Sequence, residues 1–189
     1  MEKNKNNKNN KRGLLIILWW VAAAVLVAGG IWLWFYFSQT GTYHDNQFHF
    51  SMTYPSAWEK KEGWQGTVVT FVRPKQTAMD LFEPNVNITV QEIPAKIATL
   101  ESLSQTITKQ MTAVFKNNIT ILEDKSFSFA SREGHRLIIE APQPNSLKAV
   151  FVWTIKGSMA YIFTFMCRTD QYEEYIHVAE PMIKSFEFK

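Results

Sequence analysis

The chain has 189 residues, with 20 Lys and Arg, 17 Asp and Glu, and one cysteine. Its formal net charge is +3, but residues 1–13 hold five basic residues and only one acidic residue, Glu2. The rest of the chain therefore sums to about −1, which gives no electrostatic basis for binding nucleic acid. One cysteine also excludes an intrachain disulfide, so an apolar core must hold the folded part together.

A segment of 24 residues without a charge, Leu14–Phe37, follows this basic start. As a helix it would be about 36 Å long, enough to cross a hydrocarbon core about 30 Å thick. The aromatic cluster at its C-terminal end is typical of the lipid headgroup region. We therefore predict a transmembrane helix that anchors the chain in the plasma (inner) membrane.

The orientation of this helix follows from the tail before it, MEKNKNNKNNKR. This low-complexity sequence predicts a disordered tail over residues 1–13, and its positive charge places the N-terminus in the cytoplasm. The C-terminal part of the chain is then periplasmic or extracellular. The alternative is a cleaved signal peptide with small residues at Ala22–Ala24, but the dense apolar run after these alanines favours an uncleaved anchor.

Residues 38–47 are expected to form a linker, and residues 48–189 a domain of strands and helices. Strand patterns occur in HFSMTY, TVVTFVRP and the alternating NVNITVQEIP, and TLESLSQTITKQMTAVF then has the apolar stripe of a helix. Four more strand patterns follow, with tight turns predicted at Ser131–Gly134 and Lys156–Ser158. The end of the chain, DQYEEYIHVAEPMIKSFEFK, predicts a second helix. This order predicts an α+β fold with a mainly antiparallel sheet.

These segments together resemble the PsbP-like family, whose namesake is the extrinsic subunit of the oxygen-evolving complex. The resemblance covers residues 45–189 and rests on YPSAW, NVNITVQEIP, TLESLSQTITKQM, the four-strand meander and the closing RTDQYEEYIHVAEPMIKSFEF. It implies an α/β/α sandwich with a central antiparallel sheet. It also implies an accessory, scaffold-like or partner-binding role, and non-photosynthetic bacterial members of the family are often tethered to a membrane.

Two residues are expected to have structural roles. Pro55 has no backbone N–H to donate to a neighbouring strand, so the first strand should end there. Trp58, a few residues later, should then pack against the rest of the domain. Cys167 lies in the apolar strand pattern YIFTFMCRT, which predicts a buried and inert thiol.

Motifs of common catalytic sites, such as GxSxG, HExxH and the P-loop, do not occur in the sequence. The candidate metal ligands are His44, Asp45 and His49, because two imidazoles and a carboxylate could hold a divalent metal if this segment folded back. A polar linker that runs into a strand explains the same residues without a metal. We therefore expect no cofactor and retain a divalent metal as an alternative.

Apolar residues in connecting segments give a second candidate site. Trp64 follows KKEG, and Leu81 and Phe82 lie in TAMDLFEPN between two strand patterns. Such residues can form a contact surface for a protein partner. The alternative is that they anchor their loops beneath the sandwich.

The function expected from these observations is binding: a membrane-anchored domain that acts through protein–protein contacts, without nucleic acid and without catalysis. One alternative is a metal-dependent or hydrolytic enzyme on the same fold. Another is a domain that carries a lipid or other small ligand, which a cavity between the sheet and the long helix would favour.

Overall fold

The computed structural model describes residues 25, 27, 39–77, 82–94, 99–115, 118–141 and 146–189. The chain divides into two units, Met1–Thr40 and Gly41–Lys189. Val25 and Val27 are helical, but the predicted tail and the rest of the predicted transmembrane segment lie outside the described residues. No helix within the described part of the chain is long and apolar enough to span a membrane.

From Thr40 onwards the described residues form ten strands and two α-helices. The strands are β1 (Thr40–Asp45), β2 (Phe50–Pro55), β3 (Glu59–Glu62), β4 (Val69–Val72), β5 (Asn85–Glu92), β6 (Thr120–Phe129), β7 (Arg132–Ala141), β8 (Leu147–Lys156), β9 (Met159–Arg168) and β10 (Glu187–Phe188). The helices are α1 (Leu100–Val114) and α2 (Tyr172–Ser185), and short 3₁₀ turns occupy Trp64–Gly66 and Thr169–Gln171.

Seven strands form one sheet in the order β3-β4-β5-β9-β8-β7-β6. Every neighbouring pair in this sheet is antiparallel. The predicted α+β fold with a mainly antiparallel sheet is therefore confirmed.

Each face of the large sheet carries a helix, because both faces are apolar. Along β8, Val150 and Val152 belong to the cluster that includes Tyr175 and Met182 of α2. The alternate residue Trp153 belongs to a second cluster, with Leu103 and Ile107 of α1. Side chains of a strand alternate between the two faces of a sheet, so the two helices lie on opposite sides. Both clusters consist of residues after Thr40, and the second unit therefore has a core of its own.

A smaller sheet of three strands has the order β1-β2-β10. β1 occupies most of the segment expected to be a linker, residues 38–47, so this segment differs from the prediction. Its Tyr43 is buried and contacts Phe50 and Phe71, with ring centroids 5.8 and 6.0 Å away. Burial of this aromatic ring stabilises a strand in a segment whose other residues are mostly polar.

The turn after β2 has the form expected from its sequence. β2 ends at Pro55, and the carbonyl of Pro55 accepts a hydrogen bond from the amide of Trp58 over 2.9 Å. Trp58 is buried and lies against Tyr175, with ring centroids 6.5 Å apart. The predicted structural role of Trp58 is therefore confirmed.

The thiol of Cys167, on β9, is buried as its apolar strand pattern predicted.

Candidate functional site

A cleft of about 770 Å³ lies between α1 and the outer strands of the large sheet. α1 packs over β7 and β8, where Leu103 lies in one apolar cluster with Leu137 and Trp153. β6 places only the short polar side chains of Asp124 and Ser126 beside the helix, so the space next to α1 is left open. We call this space the α1–β6 cleft; its lining comes from residues 100–113 of α1 and residues 124–135 of β6 and β7.

Trp153, which has no exposed surface, contacts residues on both sides of the cleft. Its indole Nε1 donates a hydrogen bond to Oγ of Ser104 over 3.0 Å, and Ser104 Oγ donates to the carbonyl of Leu100 over 2.8 Å. The imidazole of His135 stacks on the indole, with ring centroids 4.9 Å apart and an angle of 24° between the planes. The position of α1 over the sheet is therefore fixed through Trp153.

Asp124 and His135 form a hydrogen-bonded pair inside the cleft, between Oδ1 and Nε2. The pair follows from strand register, because Ser126 lies directly opposite His135 and Asp124 is two residues away on the same face of β6. The exposed fraction is 19% for the His135 side chain and 42% for the Asp124 side chain. The pair is therefore open to solvent on its Asp124 side.

The lining of the cleft is acidic. It carries the carboxylates of Glu101, Asp124 and Glu133, and one lysine, Lys109. Serine and threonine hydroxyls and the aliphatic parts of α1 side chains make up much of the remaining surface. A positively charged group on an aliphatic stem complements this combination of carboxylates and apolar walls.

Exposed apolar side chains lie where α1 ends and β6 begins. The exposed fractions are 68% for Val114, 44% for Ile121 and 47% for Leu122. A β-bulge between Ile121 and Glu123 shifts the register of β6 at this point, and such bulges bend a strand and redirect its side chains. We call these three apolar residues the apolar rim.

The predicted metal ligands lie elsewhere, in and after β1. The carboxylate of Asp45 accepts hydrogen bonds from the amide of Phe48 over 2.6 Å and from the hydroxyl of Tyr43 over 3.1 Å. His49 adopts a positive φ of 54° in the turn before β2. No group of three or more His, Cys, Asp and Glu residues that could hold a metal ion occurs among the described residues.

The predicted contact surface is only partly described. Trp64 lies in the 3₁₀ turn before β4, and 43% of it is exposed. The ammonium group of Lys61 lies 5.4 Å from the centre of the Trp64 ring. Phe82 is half-buried, and Leu81 lies outside the described residues.

Sequence reasoning did not single out the residues of the α1–β6 cleft. A signal was present in ITILEDKSFSFA, where Asp124, Ser126 and Ser128 alternate along one face of a strand. Short polar residues on the helix-facing side of a strand predict an open space beside the helix. A cavity between the sheet and the long helix, which would favour a ligand-carrying domain, would lie at the same place.

Comparison with solved structures shows the same fold at low sequence identity. Cyanobacterial PsbP (CyanoP) from Synechocystis sp. PCC 6803 matches with a TM-score of 0.61 and 12% identity, over 80% of this chain and 93% of CyanoP. The Saccharomyces cerevisiae Ran-binding protein Mog1p matches with a TM-score of 0.55 and 7% identity, over 79% of this chain and 95% of Mog1p. LpqN, involved in cell envelope biogenesis of Mycobacterium tuberculosis, matches with a TM-score of 0.53 and 10% identity, over 80% of this chain and 91% of LpqN.

No curated protein matches the sequence. The PsbP family model, in contrast, matches residues 38–188. This range includes the large sheet, the small sheet and both helices α1 and α2. The chain therefore belongs to the PsbP family.

Proposed function

We propose that this protein is a membrane-anchored accessory protein whose domain binds a protein partner outside the cytoplasm. In this proposal Leu14–Phe37 anchors the chain in the plasma (inner) membrane, and the partner contacts the α1–β6 cleft and its apolar rim. The observation that carries the proposal is the exposure of Val114, Ile121 and Leu122, where α1 ends and β6 begins. Val114 follows Ala113 and Leu122 lies two residues before Asp124, both of which line the cleft, and exposed apolar surface beside a cleft favours a contact with another molecule.

The structural relatives support a binding role. Mog1p is described as a Ran-binding protein, and LpqN as involved in cell envelope biogenesis. Because the identities are 7% and 10%, these matches concern the fold, and the role of each relative is only a precedent for this chain. Membership of the PsbP family gives the same support for an accessory role without catalysis.

Site-specific photocrosslinking tests the proposed contact. A photoreactive residue at Val114 in the full-length protein should form an adduct with the partner in cells, and Ile121→Asp should reduce that adduct. The matched control is the same photoreactive residue at Glu59, an exposed position on β3 at the other edge of the sheet. Equal adducts from the two positions, or none from Val114, would contradict the proposal; an adduct only from Trp64 would favour the surface predicted from the sequence.

Cysteine labelling tests the proposed topology. Cys167 is buried, so a cysteine introduced at Glu59 should be the reactive thiol of the folded domain. A membrane-impermeant maleimide should label Glu59→Cys in intact cells, whereas Asn4→Cys should be labelled only after permeabilisation. The reverse pattern would place the domain in the cytoplasm and contradict the proposal.

A small ligand in the cleft is a second candidate function. The cleft volume of about 770 Å³ lies within the range of about 300–1,000 Å³ that is common for ligand pockets. Native mass spectrometry of the purified protein would then show a retained small molecule. Ser126→Trp, which fills the cleft from β6, should abolish this retention, and a protein without bound mass in its native state would count against this candidate.

A further inference from the structure

The two edges of the large sheet differ. β3, at one edge, has four residues, all of them charged. They pair with each other, Lys60 with Glu62 at 2.8 Å and Lys61 with Glu59 at 3.3 Å. A short, charged outer strand is a common protection against pairing with another chain. β3 is therefore a poor template for a further strand.

β6, at the other edge, has ten residues and is mostly exposed. Its inner side pairs with β7 from Thr120 to Phe129. In the described part of the chain, no other strand pairs with β6, and no loop backbone hydrogen-bonds to it. A long outer strand with free N–H and C=O groups and exposed Ile121 and Leu122 is a template for strand addition.

The α1–β6 cleft lies beside this edge of the sheet. Its lining therefore determines which side chains an added strand would carry. Alternate side chains of a strand paired with β6 would lie on the α1 face, next to Asp124 and near the other carboxylates of the cleft, Glu101 and Glu133. Lysine or arginine at these positions would place its charge among the carboxylates and its stem along the apolar wall. A second copy of this chain is less suitable, because it would bring the same acidic cleft to the junction.

We infer that β6 receives an extended, lysine- or arginine-bearing segment of the partner protein as an additional strand of the large sheet. This inference rests on the proposed function and specifies how the partner binds. Backbone hydrogen bonds to β6 hold the segment, and alternate basic side chains occupy the α1–β6 cleft.

The test uses the full-length protein in a detergent with neutral headgroups and a synthetic ten-residue peptide of alternating lysine and valine. Hydrogen exchange measured by mass spectrometry should show slower exchange in residues 120–129 when the peptide is added, and unchanged exchange in β3. The same peptide with alternate backbone amides methylated keeps its charge and side chains but cannot form the ladder. It should bind about tenfold more weakly, since several backbone hydrogen bonds are lost.

Charge reversal supplies a matched pair of protein variants. Glu133→Lys in the cleft should weaken binding of the lysine–valine peptide about fivefold at low salt, and Glu62→Lys on β3 should leave it unchanged. Equal binding of the methylated peptide, equal effects of the two variants, or no peptide binding would overturn the inference. A concentration-dependent dimer that protects residues 120–129 without peptide would also overturn it, in favour of a second copy.

The two proposals fail in different ways. If Val114 captures a partner in cells but the peptide does not protect residues 120–129, the proposed function stands and strand addition is wrong. If the peptide pairs with β6 but no partner is captured at Val114, strand addition is possible in vitro and the proposed function is wrong.

Discussion

The indole Nε1 of Trp153 donates a hydrogen bond of 3.0 Å to Ser104 Oγ, which joins β8 of the large sheet to α1. Trp153 has no exposed surface, and Ser104 is buried. The Ser104 hydroxyl also donates to the carbonyl of Leu100, so it is both acceptor and donor. This pair fixes the distance of α1 from the sheet and therefore the width of the α1–β6 cleft.

Ser104→Ala should lower the free energy of unfolding by about 1–3 kcal/mol, because it leaves the buried indole N–H without an acceptor. Ser128→Ala is the matched control, since Ser128 is an exposed serine on β6, and it should change the stability by less than about 0.5 kcal/mol. Urea denaturation followed by circular dichroism measures both values. Equal losses from the two variants would show that the Trp153–Ser104 bond contributes little.

Elements with their own sequence pattern could be predicted, and elements that exist only through tertiary pairing could not. The alternation in β5 and the apolar stripe of α1 are visible in the sequence alone. β3 has no apolar residue and forms because Glu59–Glu62 pairs with Val69–Val72. β10 has two residues, and its pairing of Glu187 with Ser51 joins distant parts of the chain. No local pattern indicates such strands.

The predicted turn at Ser131–Gly134 was wrong in its position. The β6–β7 hairpin turns at Ala130 and Ser131, with positive φ values of 53° and 58°, and Gly134 lies within β7. A Cβ atom on Gly134 would lie 2.6 Å from the carbonyl oxygen of Trp153. Glycine is needed there for close approach of two strands, which the sequence does not distinguish from a turn. The predicted turn at Gly157, with φ of 64°, is confirmed.

The candidate cleft could be predicted only as a general possibility. Glu101, Asp124 and His135 come from three different elements, and the register of β6 against β7 determines which of them meet. A shift of one residue in a strand moves its side chains to the opposite face. A turn placed at the wrong residues therefore prevents the cleft from being assembled from sequence alone.

Arg136 of β7 forms two ion pairs, and the one with Glu180 connects α2 to the large sheet, whereas the one with Glu123 joins β7 to β6. Its Nη2 lies 2.5 Å from Glu180 Oε1, and its Nε lies 3.0 Å from Glu123 Oε1. Arg136→Met should lower the free energy of unfolding by about 2–3 kcal/mol, because the partly buried carboxylate of Glu180 loses its cation and that of Glu123 keeps only Lys125, at 2.9 Å. The control is Arg168→Met, whose pair with Asp170 is exposed and should contribute less than about 1 kcal/mol. Similar losses in thermal or urea unfolding would contradict this role of Arg136.

Cys167 should report on unfolding of the domain. Burial raises the pKa of its thiol from 9.0 to about 12, and the thiolate is the reactive form. The native protein should therefore not react with Ellman's reagent at pH 8, and one thiol should react in urea. Rapid reaction under native conditions would contradict the burial of Cys167.

The same raised pKa has a consequence for stability. A thiol whose pKa is raised by folding contributes stability that is fully present below its unfolded pKa and is lost as the pH rises through the folded value. The window therefore runs from about pH 9 to about pH 12. The stability of the native sequence relative to Cys167→Ala should fall by about 1 kcal/mol between pH 8 and pH 10, since one pKa unit corresponds to about 1.4 kcal/mol. A constant difference across this range would contradict the assignment.

The candidate metal ligands allow a direct test of the binding role against a metal-dependent one. Asp45 already accepts two hydrogen bonds, from the Phe48 amide and the Tyr43 hydroxyl, and a metal would have to compete with both. We expect titration calorimetry with Zn²⁺, Mn²⁺ or Ca²⁺ to give the same result for the native sequence and for His44→Ala and His49→Ala. Micromolar binding that both substitutions abolish would instead establish a metal site in this segment, and a role through protein contacts alone would then be wrong.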